Sequence, residues 1–343
     1  MTHRITVLPS GKAFAAEADE SVLEAALRQG IILPYGCRNG VCGSCKGRVR
    51  SGEIAYPAGR PEGLEEAEAK AGKALFCQAR AVTDLVLEAE VAEGVADLEV
   101  RVRPCRVDAM ERLNHDVMRL FLRLPRNDRL QFLAGQYLEF QLQGGRKRSF
   151  SMANAPHDDE RIELHLRHAP GGFFTGYVFN ELKEKAVLRI RAPLGTFYLR
   201  EDSPRPILLA AGGTGFAPIK AVVEHAIHVG VTRPIQIYWG VRSGADLYLP
   251  DLPRNWAEQH ANITYTPVLS DPQPGEENAA TGFVHERIAQ DHPDLSGHDV
   301  YLCGPPVMIR AARRAFVDTC GLPEEHLYFD SFEYAAESES ARA

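Results

Sequence analysis

The sequence predicts a multidomain protein of mixed α+β and α/β class, and three observations carry that expectation. Four cysteines, Cys37, Cys42, Cys45 and Cys77, concentrate in the first quarter of the chain among glycines. Residues 98–198 break into short alternating apolar runs between turn signals, the pattern of a small antiparallel barrel. After Pro206, apolar and partly β-branched runs alternate with helical patterns, the signature of a doubly wound parallel sheet. A chain of 343 residues is too long for one ordinary core. The division expected is residues 1–92, 99–200 and 203–334, with a disordered tail at 335–343.

In the first segment, residues 4–8 alternate as a strand, Ser10-Gly11 turns the chain, and a second strand follows. Ser21 then starts a helix over residues 21–29, with Glu24 three positions on to complete a capping box and Gly30 to close it. Residues 46–50 and 84–90 read as further strands, and residues 62–70 as a charged, solvated helix or loop. Small and acidic residues at 91–97 form a linker. In the second segment the strands fall at residues 117–124, 137–142, 161–167 and 187–191. In the third, strands at 207–211, 235–240, 263–269 and 299–303 alternate with helices at 219–229, 284–291 and 306–319.

Composition narrows the function. A formal charge of −7 argues against a nucleic-acid partner, which needs a basic face. No run of eighteen apolar residues suggests a membrane span, and residues 1–10 lack a secretion pattern, so the cytoplasm is expected. Seven cysteines is an odd number, and Cys105, Cys303 and Cys320 lie far apart, which does not suit a disulfide framework. Cys105 and Cys320 read as inert. The close pairs His165/His168 and His225/His228 lack a third ligand nearby, so no second metal is expected.

The four early cysteines have the spacing C-x4-C-x2-C…C, which puts four thiolates around one two-iron, two-sulfur cluster. A zinc site or a thiol redox pair at Cys42 and Cys45 is the alternative, but zinc sites usually show two paired ligands and then two more. Gly36, Gly40 and Gly43 let the backbone close around an inorganic core. Residues 1–92 resemble the plant-type ferredoxins, which implies a β-grasp fold there.

Farther along, residues 207–210 run into Ala211-Gly212-Gly213-Thr214-Gly215-Phe216-Ala217-Pro218 and then a helix. A glycine loop between strand and helix aims N–H groups at an anion, although the same loop could simply turn the chain. Pro218 suits a first helical turn. The spacing departs from G-x-G-x-x-G and instead resembles the pyridine-nucleotide loop of the ferredoxin reductase superfamily. Three more segments carry that resemblance: Arg148-Ser149-Phe150-Ser151 with Met152-Ala153-Asn154, His168-Ala169-Pro170-Gly171-Gly172-Phe173-Phe174-Thr175, and Tyr301-Leu302-Cys303-Gly304-Pro305-Pro306-Val307-Met308.

The resemblance implies a flavin-binding barrel in which Arg148 pairs with flavin phosphate, Phe150 stacks on the isoalloxazine and Ser151 lies near N5. Phenylalanine in place of the family's tyrosine keeps the stacking face and deletes a hydroxyl. It further implies FAD diphosphate contacts from Gly171, Gly172 and Thr175, with Asn154 and Arg167 assisting. Cys303 and Gly304 would lie near the nicotinamide, and Phe332 by the flavin.

The order of cluster, flavin and nucleotide motifs resembles the single-chain reductases of bacterial oxygenases. The nearest likeness, through LQFLAGQY, RKRSFSMANAP and GGTGFAPIKAVVEHA, is to the CDP-6-deoxy-glucoseen reductases of deoxysugar synthesis. Together the motifs imply a path from NADH through FAD and the cluster to a partner protein, since nicotinamide yields two electrons together and the cluster holds one. The acceptor is expected to be a sugar dehydrase or, alternatively, an oxygenase component. NADH rather than NADPH is expected because Asp271 stands where NADPH-using relatives place an arginine for the 2′-phosphate.

Overall fold

A computed structural model describes residues 2–95, 98–276 and 279–332. It comprises two compact units, Met1–Leu98 with Gly195–Phe197, and Glu99–Leu194 with Tyr198–Ala343. The second unit contains both the barrel and the parallel sheet. The tail expected to be disordered, residues 335–343, lies outside the described residues.

The first unit begins with β1 (Thr2–Leu8), β2 (Ala13–Glu17) and helix α1 (Val22–Arg28). After the cysteine loop come β3 (Lys46–Ser51), β4 (Ile54–Ala55), α2 (Glu66–Lys70), β5 (Lys73–Leu75), β6 (Arg80–Ala81) and β7 (Leu85–Glu88). The main sheet runs β2-β1-β7-β3-β5, with β1 and β7 parallel and the other pairs antiparallel. Alternation explains the core: Ile5 and Val7 of β1 and Leu85 and Leu87 of β7 turn inward and meet Val22, Leu23, Ala25 and Ala26 of α1. The Ser21 capping box forms, the Glu24 N–H donating to Ser21 Oγ at 3.2 Å and the Ser21 N–H to Glu24 Oε2 at 3.0 Å. Helix α2 buries no residue, as its charge suggested, yet Glu68 accepts a 2.6 Å ion pair from the largely covered Lys46.

In the second unit an antiparallel sheet forms from β8 (Arg101–Arg112), β9 (Val117–Arg123), β10 (Tyr137–Gln141), β11 (Lys147–Ser151), β12 (Ile162–Arg167) and β13 (Val187–Leu194). Its order is β11-β10-β13-β8-β9-β12, and a bridge between Met152 and Leu164 joins the two outer strands into a barrel. Helix α3 (Phe173–Asn180) inserts Phe174 and Val178 into the barrel core.

The remaining strands, β14 (Ile207–Gly212), β15 (Ile235–Val241), β16 (Ile263–Leu269), β17 (Ala280–Thr281), β18 (Asp299–Gly304) and β19 (Leu327–Ser331), make an all-parallel sheet ordered β17-β16-β15-β14-β18-β19. Helices α4 (Phe216–His228), α5 (Asp251–Gln259), α6 (Val284–Asp291) and α7 (Pro306–Arg313) accompany it. Every residue of β14 and β18 is buried, which is why β14 and residues 300–303 read as apolar segments, while the buried Asp299 is paired with Arg233 at 3.0 Å. Strand order reverses at β14, so the crevice beyond the carboxyl ends of β14 and β18 is where such sheets take ligands. The helix expected over 306–319 ends at Arg313 and continues as a π-helical turn, Arg314–Thr319.

Candidate functional site

Three of the early cysteines sit on a loop whose turns need left-handed backbone at Arg38, Gly40 and Gly43, with φ of 62°, 85° and 85°. A side chain at Gly40 would come within 2.9 Å of Pro61 and 2.8 Å of Gln78. Backbone N–H groups turn toward the sulfurs: those of Cys37 and Ser44 reach Cys42 Sγ at 3.4 Å, and that of Cys42 reaches Cys37 Sγ at 3.4 Å. The thiols form two close pairs, Cys37 with Cys42 and Cys45 with Cys77. Bonding to the Cys42 thiol draws Cys37 down to about 6, while Cys42 is pushed well up. Among the described residues no three or more His, Cys, Asp or Glu side chains converge on a single ion. Two pairs of thiols fit a cluster in which each of two irons would take two ligands.

The flavin-type motifs come together through aromatic packing. Phe150 on β11 lies 5.6 Å from Phe174 and 5.9 Å from Phe140, so the strand carrying Arg148 and Ser151 is packed against the helix that follows Gly171 and Gly172. Gly171 has a φ of 75°, and a side chain at Gly172 would fall 2.7 Å from Thr175 Oγ1. The Thr175 hydroxyl is engaged inside this loop, accepting from the Ala169 N–H at 3.2 Å. Arg148 lies half-buried on β11 and donates to the Lys147 carbonyl at 2.7 Å. Asn154 is turned inward: its carbonyl accepts from the Glu163 N–H at 2.9 Å and its amide donates to the Asp158 carbonyl at 2.7 Å. Its visible role is to fix the end of the flavin strand. Arg167 ion-pairs with Asp116 at 2.6 Å and comes within 3.4 Å of the Cβ position of Gly213, beside the nucleotide loop.

At the end of β14, two of the glycines are required by packing. A side chain at Gly212 would strike Met308 at 2.5 Å, and one at Gly215 the Cys303 carbonyl at 2.1 Å. The 212–215 loop and the 303–308 segment are therefore pressed together across the switch between β14 and β18. The Trp239 indole donates to the Gly213 carbonyl at 2.9 Å and stacks on Phe216 at 3.9 Å, holding the loop and the Thr214–Phe216 turn from beneath. Pro218 lies in the first turn of α4, as its fixed φ favours.

Cys303 is fully buried at the end of β18, where burial pushes its thiol well above the ordinary range, so it stays neutral. Its partner in register on β19 is Asp330. Asp330 accepts a 2.9 Å hydrogen bond from Ser151 Oγ on the barrel strand. The Phe332 N–H donates to the Gly304 carbonyl at 2.9 Å. Ser151, Cys303, Gly304 and Phe332, separated widely in sequence, are thus gathered at one place with Asp330 among them. Sequence reasoning gave Asp330 no role, because a lone aspartate two residues before a phenylalanine carries no spacing signal.

Asp271 lies just beyond β16, and its carboxylate meets the Arg242 guanidinium at 3.3 Å with both side chains mostly exposed. Arg242, the arginine beside Asp271, is therefore already faced by an acid. A second group is buried, Glu163, His165, Lys220 and Tyr248, each less than a tenth exposed; of these, sequence reasoning weighed only His165, as a metal ligand. The one visible signal was Lys220, a charge within the otherwise apolar run Phe216–Val223.

Comparison with known proteins agrees with this layout. The family model for the 2Fe-2S iron-sulfur cluster binding domain matches residues 5–82, that for the oxidoreductase FAD-binding domain residues 104–198, and that for the oxidoreductase NAD-binding domain residues 209–314. The chain is similar to the CDP-6-deoxy-L-threo-D-glycero-4-hexulose-3-dehydrase reductase of Yersinia pestis, 40% identical over 97% of this chain and 99% of that protein. It is also similar to the reductase component 1 of terephthalate 1,2-dioxygenase from Comamonas, 36% identical over 97% and 98%. Among solved structures, the Amycolatopsis cytochrome P450 reductase is 33% identical with a TM-score of 0.76, covering 96% of this chain and 98% of that one.

Proposed function

Since the chain belongs to the family of single-chain reductases that join a two-iron ferredoxin domain to FAD- and NAD-binding domains, we propose that it draws electrons from NADH and hands them singly to the dehydrase of a CDP-deoxyhexose pathway. When bound, FAD and the cluster supply the conversion of a two-electron donation into one-electron steps. The protein's own residues bind, orient and shield. Arg148, Phe150 and the 169–175 loop hold the flavin side, and the 212–215 loop receives the dinucleotide at the start of α4. Ser151 keeps its hydroxyl proton directed at Asp330, a fixed proton position at the point where the two ligands would meet. The neutral Cys303 thiol walls that point off from water without adding charge. Cys37, Cys42, Cys45 and Cys77 hold the cluster, and the N–H groups turned to their sulfurs favour its reduced, more negative form. A cytoplasmic setting accords with seven unpaired cysteines, and no helix among the described residues is long and apolar enough to cross a membrane.

The observation that carries the choice of dehydrase is the 40% identity to the hexulose-dehydrase reductase along nearly both full lengths. A second reading, reductase of an oxygenase or hydroxylase, is supported by the 36% identity to the terephthalate dioxygenase reductase over a comparable span. Purified protein should be given NADH and, in parallel, a purified hexulose 3-dehydrase with its substrate or a terephthalate-type dioxygenase. Turnover only with the dehydrase upholds the first reading, and turnover only with the dioxygenase transfers the assignment to the second.

A further inference from the structure

Among the groups left unused by this chemistry, one buried ionic network stands apart. Lys220 projects from α4, the helix that opens directly behind the 212–215 loop, and is 6% exposed. Its ammonium donates to Glu163 Oε2 at 2.9 Å, to Glu224 Oε2 at 2.9 Å and to the Ala153 carbonyl at 3.1 Å. Ala153 lies two residues beyond Ser151, and its own N–H donates to the Glu163 carbonyl at 2.8 Å. The other oxygen of Glu163 faces His165 Nε2 at 2.9 Å and Arg119 Nε at 3.2 Å. His165 Nδ1 is 3.0 Å from the Tyr248 hydroxyl, and Tyr248 packs edge-on against Trp239 under the glycine loop.

Protonation states follow from the surroundings. Burial alone would raise Glu163, but the bonds from His165 and Lys220 hold it down to about 2, so it is a carboxylate. Burial lowers His165 and raises Tyr248, leaving a neutral imidazole and an intact phenol. The tautomer consistent with both contacts has Nε2–H donating to Glu163 and Nδ1 accepting from Tyr248. One strand of the flavin barrel, β12, is therefore fastened at two separate points of the nucleotide-binding part, α4 and Tyr248.

Buried ion pairs of this kind are poor stabilisers, since apolar residues of similar volume often fold as well or better. What such a pair does provide is one allowed alignment, because every other arrangement leaves a charge buried without a partner. Rates that depend on the juxtaposition of two bound groups are steep in that alignment. We propose that Lys220, through Glu163 and the Ala153 carbonyl, is a positioning residue for hydride transfer from the nicotinamide to the flavin. This rests on the reading of the chain as an NADH-dependent flavoprotein.

The test uses the full-length, FAD-loaded protein with NADH in anaerobic stopped flow, with flavin bleaching followed in Lys220→Met, in Glu163→Gln/Lys220→Met and in the unsubstituted protein. FAD content, melting temperature and photochemical reduction of the flavin are measured beside it. If the unsubstituted protein is not bleached by NADH, the underlying functional reading fails, whatever the variants do. Given bleaching, the expected result is a limiting rate lowered on the order of ten- to a hundredfold in both variants. FAD should be retained, photoreduction unchanged, and the charge-transfer absorbance of the NADH complex weakened. Native rates in Lys220→Met overturn the proposal. So does recovery of the native rate in the double variant, because the loss would then be due to a stranded carboxylate. A rate that falls only in proportion to lost FAD or a lowered melting temperature also overturns it.

Discussion

Under the proposed function the cysteine loop and the Ser151–Asp330 region face the same demand, holding a redox group in a fixed place, and would meet it by opposite routes. Cys37, Cys42 and Cys45 come from one loop, and its own turns at Arg38, Gly40 and Gly43 shape the site. Ser151 and Asp330 meet across 179 residues of sequence, each set by a different sheet. A local site is specified by spacing and can be lost by one ligand. A site assembled over distance depends on whatever holds its supporting elements in register, so residues that touch no ligand become part of it.

The sharpest way to break this contrast is at the cysteines. Replacing Cys42 or the distant Cys77 by serine should abolish the cluster equally, and with it reduction of a protein acceptor, by a hundredfold or more on the order expected for removing an obligatory carrier. NADH-driven reduction of a two-electron dye should persist and FAD should remain bound. Absorption spectra and parallel dye and protein-acceptor assays check this. Loss of the dye reaction as well would mean that the two units are not separable in function.

The distributed site should be graded instead. Asp330→Asn keeps the shape but weakens the hold on the Ser151 proton, and Ser151→Ala removes it. Each is expected to lower the limiting rate of flavin reduction by NADH on the order of a hundredfold while NADH binding changes little. Single-turnover kinetics over a range of NADH concentrations separates the two quantities. An unchanged rate in both variants would remove the pair from the chemistry.

A smaller effect belongs to the exposed rim. With Asp271 and Arg242 both mostly solvated, their pair is worth little in stability, but it faces the arginine with an acid. Asp271→Arg should move the ratio of kcat/KM values towards NADPH by roughly tenfold. Equal use of the two nucleotides by the unsubstituted protein would contradict the expected preference for NADH.

The smallest is a pH effect on stability confined to the buried network. His165 is held neutral below its usual 6.5, so the unfolded chain takes up a proton there first, and this loss begins as pH falls through 6.5. Glu163 is held at about 2 against 4.5 when unfolded, so its contribution is complete above 4.5 and declines from there towards 2. Melting temperature followed from neutral to acid pH should fall in this order, and Glu163→Gln should flatten the lower part. An acid profile identical in the variant would show that Glu163 does not govern it.

These two regions also differ in how much of them the sequence disclosed. The spacing of Cys37, Cys42 and Cys45, the Ser21–Glu24 cap and the buried runs of β14 and β18 were readable because each rests on neighbours within a few positions. Strand β19 and helix α5 were not anticipated: the first is five residues with little alternation, and the second starts from Pro250 without a side-chain cap. Gly212 and Gly215 were read as part of a loop that aims N–H groups at an anion, yet their own Cβ positions are filled by Met308 and Cys303, contacts with a segment distant in sequence that no local pattern announces. Asp330 and the Glu163–Lys220 pair escaped for the same reason, since a charge acquires its meaning from a partner brought in by the fold.

The path from NADH through the flavin to the cluster is tested most directly by one anaerobic titration of the full chain with NADH, read by visible absorption and electron paramagnetic resonance. Bleaching of the flavin should be accompanied by the signal of a reduced two-iron cluster in the unsubstituted protein, and by flavin bleaching without that signal in Cys42→Ser. A cluster that stays oxidised while the flavin is fully reduced and the partner protein still receives electrons would contradict it.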